Sequence, residues 1–431
     1  MTYTPIPTTL EKLKNLPAPI RVGVVGAGEF GREVITQIAW IPNMEVAAVV
    51  DTNPRAGVEA LLAAGYRMEE IECPAGVEDA REAMENGKRL VLRDAMLLCE
   101  LPLDVLVDST GSPVFGAEFA ALGLENKKHV VVVNIESTVS VGAALTRLAR
   151  EKGVVYTTAD GDQPSLIAGL CDWARTLGME VEVAGKWTGF SRKWQADPNG
   201  KRSDIGYHDG SKNQIEMCCV ANITGLTPDV PGMHCPSVAL EDTLRVFDSR
   251  EAGGILHGMG VVEAINCLGE EDQRVVPDHL QGGVFVIASC ENPEFCHAAK
   301  TKGLIASPDG RRVLLYRPYH FVGIETPVSI LRAVLYGEAT GAPLPTPVAD
   351  VYAIAKRDLA PGEILNGVGG DMVRGEMECI TPESVKSRLP LALAEGIRLK
   401  EAIAAGTPLT LDMVKIPEDS TIWKLYQSQF A

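Results

Sequence analysis

Arg21-Val22-Gly23-Val24-Val25-Gly26-Ala27-Gly28-Glu29-Phe30-Gly31 is the stretch on which the fold turns. Its first five residues, largely valine, predict a short buried strand. Glycine then occupies the first, third and sixth places of Gly26–Gly31, and Arg32 to Trp40 predicts a helix starting at once. A second apolar run, Val46 to Val50, ends in Asp51, twenty residues past Gly31. Strand, glycine loop, helix, strand and acid therefore stand in one register.

Each part of that register has a physical task. Gly26 permits a tight turn, Gly28 lets the backbone approach a pyrophosphate, and Gly31 lets the helix pack on the strand. Glu29 and Phe30 complete the loop, where free N–H groups and the positive end of the helix dipole favour phosphate. Asp51 stands where a carboxylate accepts hydrogen bonds from ribose hydroxyls. The segment reads as an N-terminal Rossmann fold that binds NAD or NADP. Asp51 favours NAD, whereas Arg55 or Arg32 would hold a 2′-phosphate bidentately. The residues alone leave that choice open.

The βαβ rhythm continues downstream. Val105 to Val107 predicts a strand leading into Asp108-Ser109-Thr110-Gly111, and Val130 to Val133 a strand ending at Asn134. Thr110 and Asn134 thus fall at carboxyl ends of parallel strands, facing a cofactor crevice. Helices are expected at Ala56–Ala64, Val77–Asn86, Arg93–Cys99, Phe115–Lys128 and Val141–Lys152. From about Pro164 the rhythm changes, with helices expected at Ser165–Leu177, Ser211–Asn222 and Val238–Phe247. Strands are expected at Met179–Ala184 and Arg312–Tyr316. Lys186 to Gly210 is polar and lacks apolar periodicity, as functional loops do. Pro343-Leu344-Pro345-Thr346-Pro347 reads as a linker.

The expected class is α/β: a Rossmann domain (1–160), an α+β catalytic and oligomerisation domain (161–345) and a C-terminal β-rich domain (346–431). The chain has 431 residues, 23% of them charged, and a formal net charge of -17. That balance argues against nucleic acid or an anionic membrane as partner. The N-terminus shows no signal-peptide pattern and no apolar run reaches membrane-spanning length. Ten scattered cysteines lack zinc-ligand spacing, as in a reduced, cytoplasmic protein.

Three blocks resemble one group of proteins. Val107 to Gly111 and Gly123 to Asn134 (GLENKKHVVVVN) look like homoserine dehydrogenase and its relatives. Val351 to Lys356 (VYAIAK), Arg357 to Glu363, Leu389 to Ala392 and Ala405 to Thr410 are similar to a SAF domain. The third block is Gly185 to Asn222, with Asp209-Gly210-Ser211-Lys212-Asn213-Gln214. Together they resemble homoserine-dehydrogenase-like oxidoreductases with a C-terminal SAF domain, and most of all the DRL (reductoisomerase-like) enzymes. The resemblance implies reduction and isomerisation of 1-deoxy-D-xylulose 5-phosphate to 2-C-methyl-D-erythritol 4-phosphate in isoprenoid synthesis. It implies NADPH rather than NAD, a divalent metal (Mg or Mn), a small phosphorylated substrate, and a homodimer or homotetramer. Another small polyol or hydroxy-carbonyl substrate remains an alternative, as does a non-catalytic NAD(P)-binding sensor.

Such chemistry needs an anion anchor and control of a carbonyl. Lys186, Arg192, Lys193, Lys201, Arg202 and Lys212 cluster in an otherwise acidic chain. Arg192, Lys193 and Lys201 are expected to hold substrate phosphate, and His320 to touch substrate or fill the core. Lys212, with Lys186 and Asp209, is the expected catalytic group, polarising a carbonyl or passing a proton. Glu216, one helical turn on, is expected to pair with Lys212. Asp160 and Asp162 flank a glycine after a strand, where a DxD pair binds a hard cation or caps the next helix.

Overall fold

Alternating valine-rich strands and amphipathic helices build the first unit of the chain, which comprises Met1–Asn134, Ala144–Asp162 and Phe321–Ala342. The computed structural model describes residues 8–190, 209–269 and 274–430. Seven strands form one sheet: β1 (Ile20–Val25), β2 (Met44–Val50), β3 (Ile71–Glu72), β4 (Arg89–Leu92), β5 (Val105–Asp108), β6 (His129–Val132) and β7 (Tyr156–Thr158). Their order is β3-β4-β2-β1-β5-β6-β7, and every neighbouring pair is parallel. Helices cover a parallel sheet on both faces, so its central strands are continuous apolar runs. The helix Glu29–Ile38 buries Gly31, Val34, Ile35 and Ile38, one stripe at helical spacing.

This is the Rossmann fold that the glycine loop predicts. β4 was not foreseen: Arg89–Leu92 is a strand, and the helix expected at Arg93–Cys99 is Met96–Glu100. The unit also takes in the helix Val322–Tyr336, whose Ile330 joins the core with Val34, Ile35 and Ile38. At Gly323 a Cβ would stand 2.3 Å from the Cβ of Glu33, so only glycine lets the two helices approach there. The units are thus interleaved along the chain, whereas the sequence reading lays its domains end to end.

The second unit comprises Ile135–Ala143, Gln163–His320 and Pro343–Ala431. Its sheet contains β8 (Glu180–Thr188), β9 (Thr227–Pro228), β10 (Val261–Asn266), β11 (Val284–Ser289), β12 (Ile305–Ala306) and β13 (Arg312–Arg317), in the order β12-β13-β11-β8-β10-β9. β8, β10 and β9 run parallel, and the other pairs are antiparallel. The helix expected at Val238–Phe247 is reduced to two short turns, Leu240–Asp242 and Thr243–Val246. Arg312 accounts for its early end: its guanidinium donates to the carbonyls of Leu244 (3.1 Å) and Phe247 (2.8 Å). The same group pairs with Glu182 and Asp248, each at 2.6 Å.

The C-terminal part is β-rich. β14 (Ala349–Ala355) pairs antiparallel with β15 (Val373–Cys379), and β16 (Arg398–Leu399) with β17 (Val414–Lys415). No helix among the described residues is long and apolar enough to cross a membrane. The ten cysteines form no disulfide, and burial pushes the Cys171 thiol up to about 12, a value expected of an inert interior thiol.

One carboxyl in β14 is costly. Asp350 is 1% exposed, and its Oδ1 accepts from the Ser140 hydroxyl (2.7 Å) and the Val351 N–H (2.8 Å). Its Oδ2 meets no hydrogen-bond partner among the described residues. Burial raises its pKa from the ordinary 3.8 to about 7, against the pull of Ser140 and the backbone. Between those two values the folded protein keeps a proton that the unfolded chain has lost, so this group makes stability fall as pH rises. Above about pH 7 the penalty amounts to about 4 kcal/mol. Asp350→Asn should flatten the decline between pH 4 and 7 in urea titrations, and unchanged pH dependence would refute this assignment.

Candidate functional site

Two sites emerge, one in each unit. In the first unit, a crevice of about 650 Å³ opens at the carboxyl ends of β1, β2, β4 and β5, lined among others by Gly26, Gly28, Asp51, Arg93, Ser109, Thr110 and Phe115. β2 lies on one side of β1 and β5 on the other, which is the switch point where open parallel sheets bind ligands.

The three glycines play different parts. Gly26 has φ +89°, and a Cβ there would meet the Ser109 carbonyl oxygen at 2.9 Å. At Gly31 a Cβ would stand in the same close-packing zone, against the Gly26 carbonyl and the Ser109 side chain. Gly28 differs: a Cβ would meet nothing within 4 Å. The loop is therefore closed by Gly26 and Gly31, while Gly28 borders open space that an added side chain would fill. A pyrophosphate laid on the N-terminus of Glu29–Ile38 would need that space.

Asp51 secures the same loop. Its Oδ2 accepts from the Ala27 N–H and its Oδ1 from the Asn53 N–H, both at 2.8 Å. A carboxylate has lone pairs left after two such bonds. Glu29 and Phe30 are exposed on the first turn of the helix. Arg55 is exposed and paired with Glu59 at 2.8 Å, and Arg32 is exposed. Neither Arg32 nor Arg55 lines the crevice; Arg93 does. The sequence reading missed Arg93 because it missed β4, which delivers that residue to the sheet's carboxyl edge.

Asn134 and Thr110 brace the turn after β5. The Asn134 amide donates to Asp108 Oδ2 (3.1 Å), Thr110 Oγ1 (3.0 Å) and the Ser112 carbonyl (3.0 Å). The Thr110 hydroxyl donates to Asp108 Oδ1 at 2.7 Å. The Oδ1 of Asn134 is buried and makes no hydrogen bond within the described residues. Dinucleotide binding fits this glycine loop and the space beside it.

In the second unit a cavity of about 330 Å³ is lined by Phe190, Asp209, Gly210 and Gln214, by Pro231–Met233, and by Arg374–Glu376 of β15. The burial of Val373–Cys379 alternates, which puts Arg374 and Glu376 on one face of β15. Arg374 pairs with Glu376 at 2.9 Å. Gly375 permits close packing, since a Cβ would lie 2.5 Å from Val351, and its N–H donates to Ser211 Oγ at 2.9 Å.

Each expected catalytic residue sits in an ion pair of its own. Asp209 lines the cavity, and its Oδ2 lies 2.7 Å from the Lys356 ammonium. Lys356 went unrecognised because it stands 147 positions away, at the end of β14. Lys212 pairs with Glu136 at 2.8 Å. Lys186 is not in a polar loop: it lies within β8, is 4% exposed, and pairs with Glu216. Glu216 was expected to pair with Lys212; burial of the helix turns it to Lys186 instead. His320 is held at both nitrogens, with Nδ1 2.6 Å from the Gly282 carbonyl and Nε2 3.3 Å from the Gln163 amide. The ring is half-buried, with both nitrogens engaged inside the protein. Arg192, Lys193 and Lys201 lie outside the described residues.

Asp160 accepts from the Gly161 N–H at 3.0 Å, and its own N–H donates to Ser329 Oγ at 2.7 Å. Asp162 is buried at the start of the helix Gln163–Thr176. Neither belongs to a group of converging metal-ligand atoms among the described residues.

Residues 161–326 match the family described as the catalytic domain of oxidoreductase DRL. That match supports an oxidoreductase function of dehydrogenase or reductase type. Residues 350–415 match the SAF domain. Together the two matches are those of a DRL-like oxidoreductase with a C-terminal SAF domain. No curated protein matches it. Among solved structures it is similar to a scyllo-inositol dehydrogenase from Lactobacillus casei with bound NAD(H) and scyllo-inositol (13% identity, TM-score 0.36, covering 75% of this chain and 92% of that one). It is also similar to a dihydrodipicolinate reductase from Paenisporosarcina sp. TG-14 (16%, 0.35, 74% and 97%). A third is 1-deoxy-D-xylulose 5-phosphate reductoisomerase from Zymomonas mobilis with NADPH (16%, 0.36, 48% and 59%). At such scores none of these likenesses bears on the activity of this chain.

The buried Lys186–Glu216 pair yields a direct expectation. Glu216→Gln strands a buried ammonium and should cost about 3–5 kcal/mol in urea denaturation. The double variant Lys186→Met/Glu216→Leu should regain most of that loss, because no charge is then left uncompensated.

Proposed function

We propose that this chain is an NADPH-dependent reductase of a small phosphorylated hydroxy-carbonyl compound, with 1-deoxy-D-xylulose 5-phosphate as the first substrate to test. The observation that carries the cofactor half is the crevice at the β1 switch point, where Gly28 alone of the three loop glycines faces open space. The match of residues 161–326 to the DRL catalytic domain supports the substrate half. Arg93 at the crevice wall supports NADPH over NADH, since a guanidinium can grip a 2′-phosphate bidentately.

In this reading the bound nicotinamide supplies hydride. The chain's own groups bind and orient: the loop N–H groups hold pyrophosphate, Asp51 accepts from a ribose hydroxyl, and Arg93 neutralises the 2′-phosphate. Lys212, paired with Glu136, is the group proposed to steady the developing negative charge on a carbonyl oxygen. The cationic segment containing Arg192, Lys193 and Lys201 is the proposed phosphate anchor.

The test follows absorbance of the nicotinamide band with NADPH, divalent metal and 1-deoxy-D-xylulose 5-phosphate, then with other phosphorylated polyols and homoserine. Lys212→Ala should lower kcat about 100-fold or more. Absence of turnover on the whole panel would overturn the reading.

Cofactor binding separates from turnover. Gly28→Val should leave thermal stability nearly unchanged yet weaken NADPH binding about 100-fold, because its side chain enters the pyrophosphate space without meeting protein. Arg93→Ala should weaken NADPH about tenfold while sparing NADH. Equal losses for both dinucleotides would assign Arg93 another role.

A further inference from the structure

Asp229 follows directly on β9, and its side chain is only 5% exposed. The backbone N–H groups of His257 and Gly258 donate to it at 3.0–3.3 Å. They fix a carboxylate whose Oδ2 lies 3.0 Å from His257 Nδ1 and 3.5 Å from His234 Nε2. One ligand atom from each of Asp229, His234 and His257 falls within 4.8 Å of the others. Ligands bound at about 2.0–2.1 Å to a tetrahedral ion stand about 3.3–3.5 Å apart, so small side-chain rotations close the set.

His234 is also set from behind. Its Nδ1 lies 2.7 Å from Glu263 Oε1, on a carboxylate of β10 that is 0% exposed. Glu263 further accepts the backbone N–H groups of His234 (3.2 Å) and Cys235 (3.3 Å). An Nδ1–H donated to that carboxylate leaves the Nε2 lone pair on the side of Asp229, the relation that orients metal-bound histidines. The backbone on either side is left-handed, with φ 60° at Met233 and 50° at Cys235. Non-glycine residues hold such angles at a cost of about 1–3 kcal/mol each, and they concentrate where a side chain must be aimed.

We propose that Asp229, His234 and His257 bind one divalent transition-metal ion, with Glu263 as the positioning residue for His234. Two imidazoles and one carboxylate select a zinc-, cobalt- or iron-class ion over magnesium or calcium, which prefer all-oxygen sites. Three protein ligands, one of them the half-exposed His257, leave coordination positions open to water or a ligand. Pro231, Gly232 and Met233, which line the second-unit cavity, lie between ligands Asp229 and His234 in the chain. The ion therefore fastens both ends of one cavity wall. This proposal is independent of the substrate assignment, because it concerns binding to the protein alone.

Chelator-treated full-length protein, free of substrate and dinucleotide, is titrated with Co²⁺ while visible absorption is followed, and with Zn²⁺ by equilibrium dialysis. One equivalent should bind with the strong visible bands of a four- or five-coordinate cobalt site. Mg²⁺ in large excess should not displace it, and Zn²⁺ should raise the Tm. His257→Gln alters a half-exposed side chain and should fold, verified by circular dichroism; it should abolish the cobalt bands and weaken Zn²⁺ at least tenfold. Glu263→Gln should keep one-to-one binding but weaken it about 10–100-fold. Absence of the bands in the unaltered protein, or equal affinity in His257→Gln, would overturn the proposal. Loss of turnover with metal binding intact would instead count against the reductase reading alone.

Discussion

A helix enclosed by protein on all sides must find a partner for every polar side chain it carries, and the second unit is organised around that constraint. The helix Ser211–Thr224 buries eleven of its fourteen residues, Ser211, Asn213, Gln214, Glu216 and Asn222 among them. Ser211, Gln214, Glu216 and Asn222 act as fastenings, because an unmet buried donor or acceptor costs about 1–3 kcal/mol. Gln214 accepts the Met377 N–H and donates to the Gly232 carbonyl, both at 3.0 Å. Asn222 binds the backbone at Val139, Val348 and Ala349. Glu216 meets Lys186 of β8. One element thus fixes the sheet, the cavity wall at Gly232 and the SAF strands together.

The charged groups at the start of that helix follow from the same enclosure. Asp209 and Lys212 flank the start of that helix, yet each is answered by a different partner, Lys356 and Glu136. Pairing compensates a partly buried charge while limiting where it can point. Asp209, which lines the cavity, is thereby set before a ligand arrives, so less binding energy goes into reorganisation.

What could be read from the residues and what could not divides along sequence distance. The Rossmann unit was legible because its constraints are local: Gly26, Gly28 and Gly31 answer to one turn, and Asp51 to a strand end close by. Lys186 was misread because polarity around it suggested a loop, whereas β8 runs on to Thr188 and buries it against Glu216, thirty residues later. No local pattern announces such a pairing. The partnership of Asp209 with Lys356, and the return of Val322–Tyr336 to the first core, depend likewise on contacts that periodicity cannot encode. Arg93 was lost for a smaller reason, a four-residue strand too short to show a pattern of its own.

Gly375 carries a consequence for the modularity of this architecture. Its Cα approaches Val351 too closely for any side chain, and its N–H is spent on Ser211 of the enclosed helix. The SAF sequence is recognisable as a separable segment, yet its strand β15 supplies backbone donors to Ser211 and Gln214 of the catalytic segment. Recombination could remove such a segment in one step, but the chain left behind would carry a helix with bare polar groups. The two segments are therefore expected to be inherited as a pair, one folding lineage rather than two exchangeable parts.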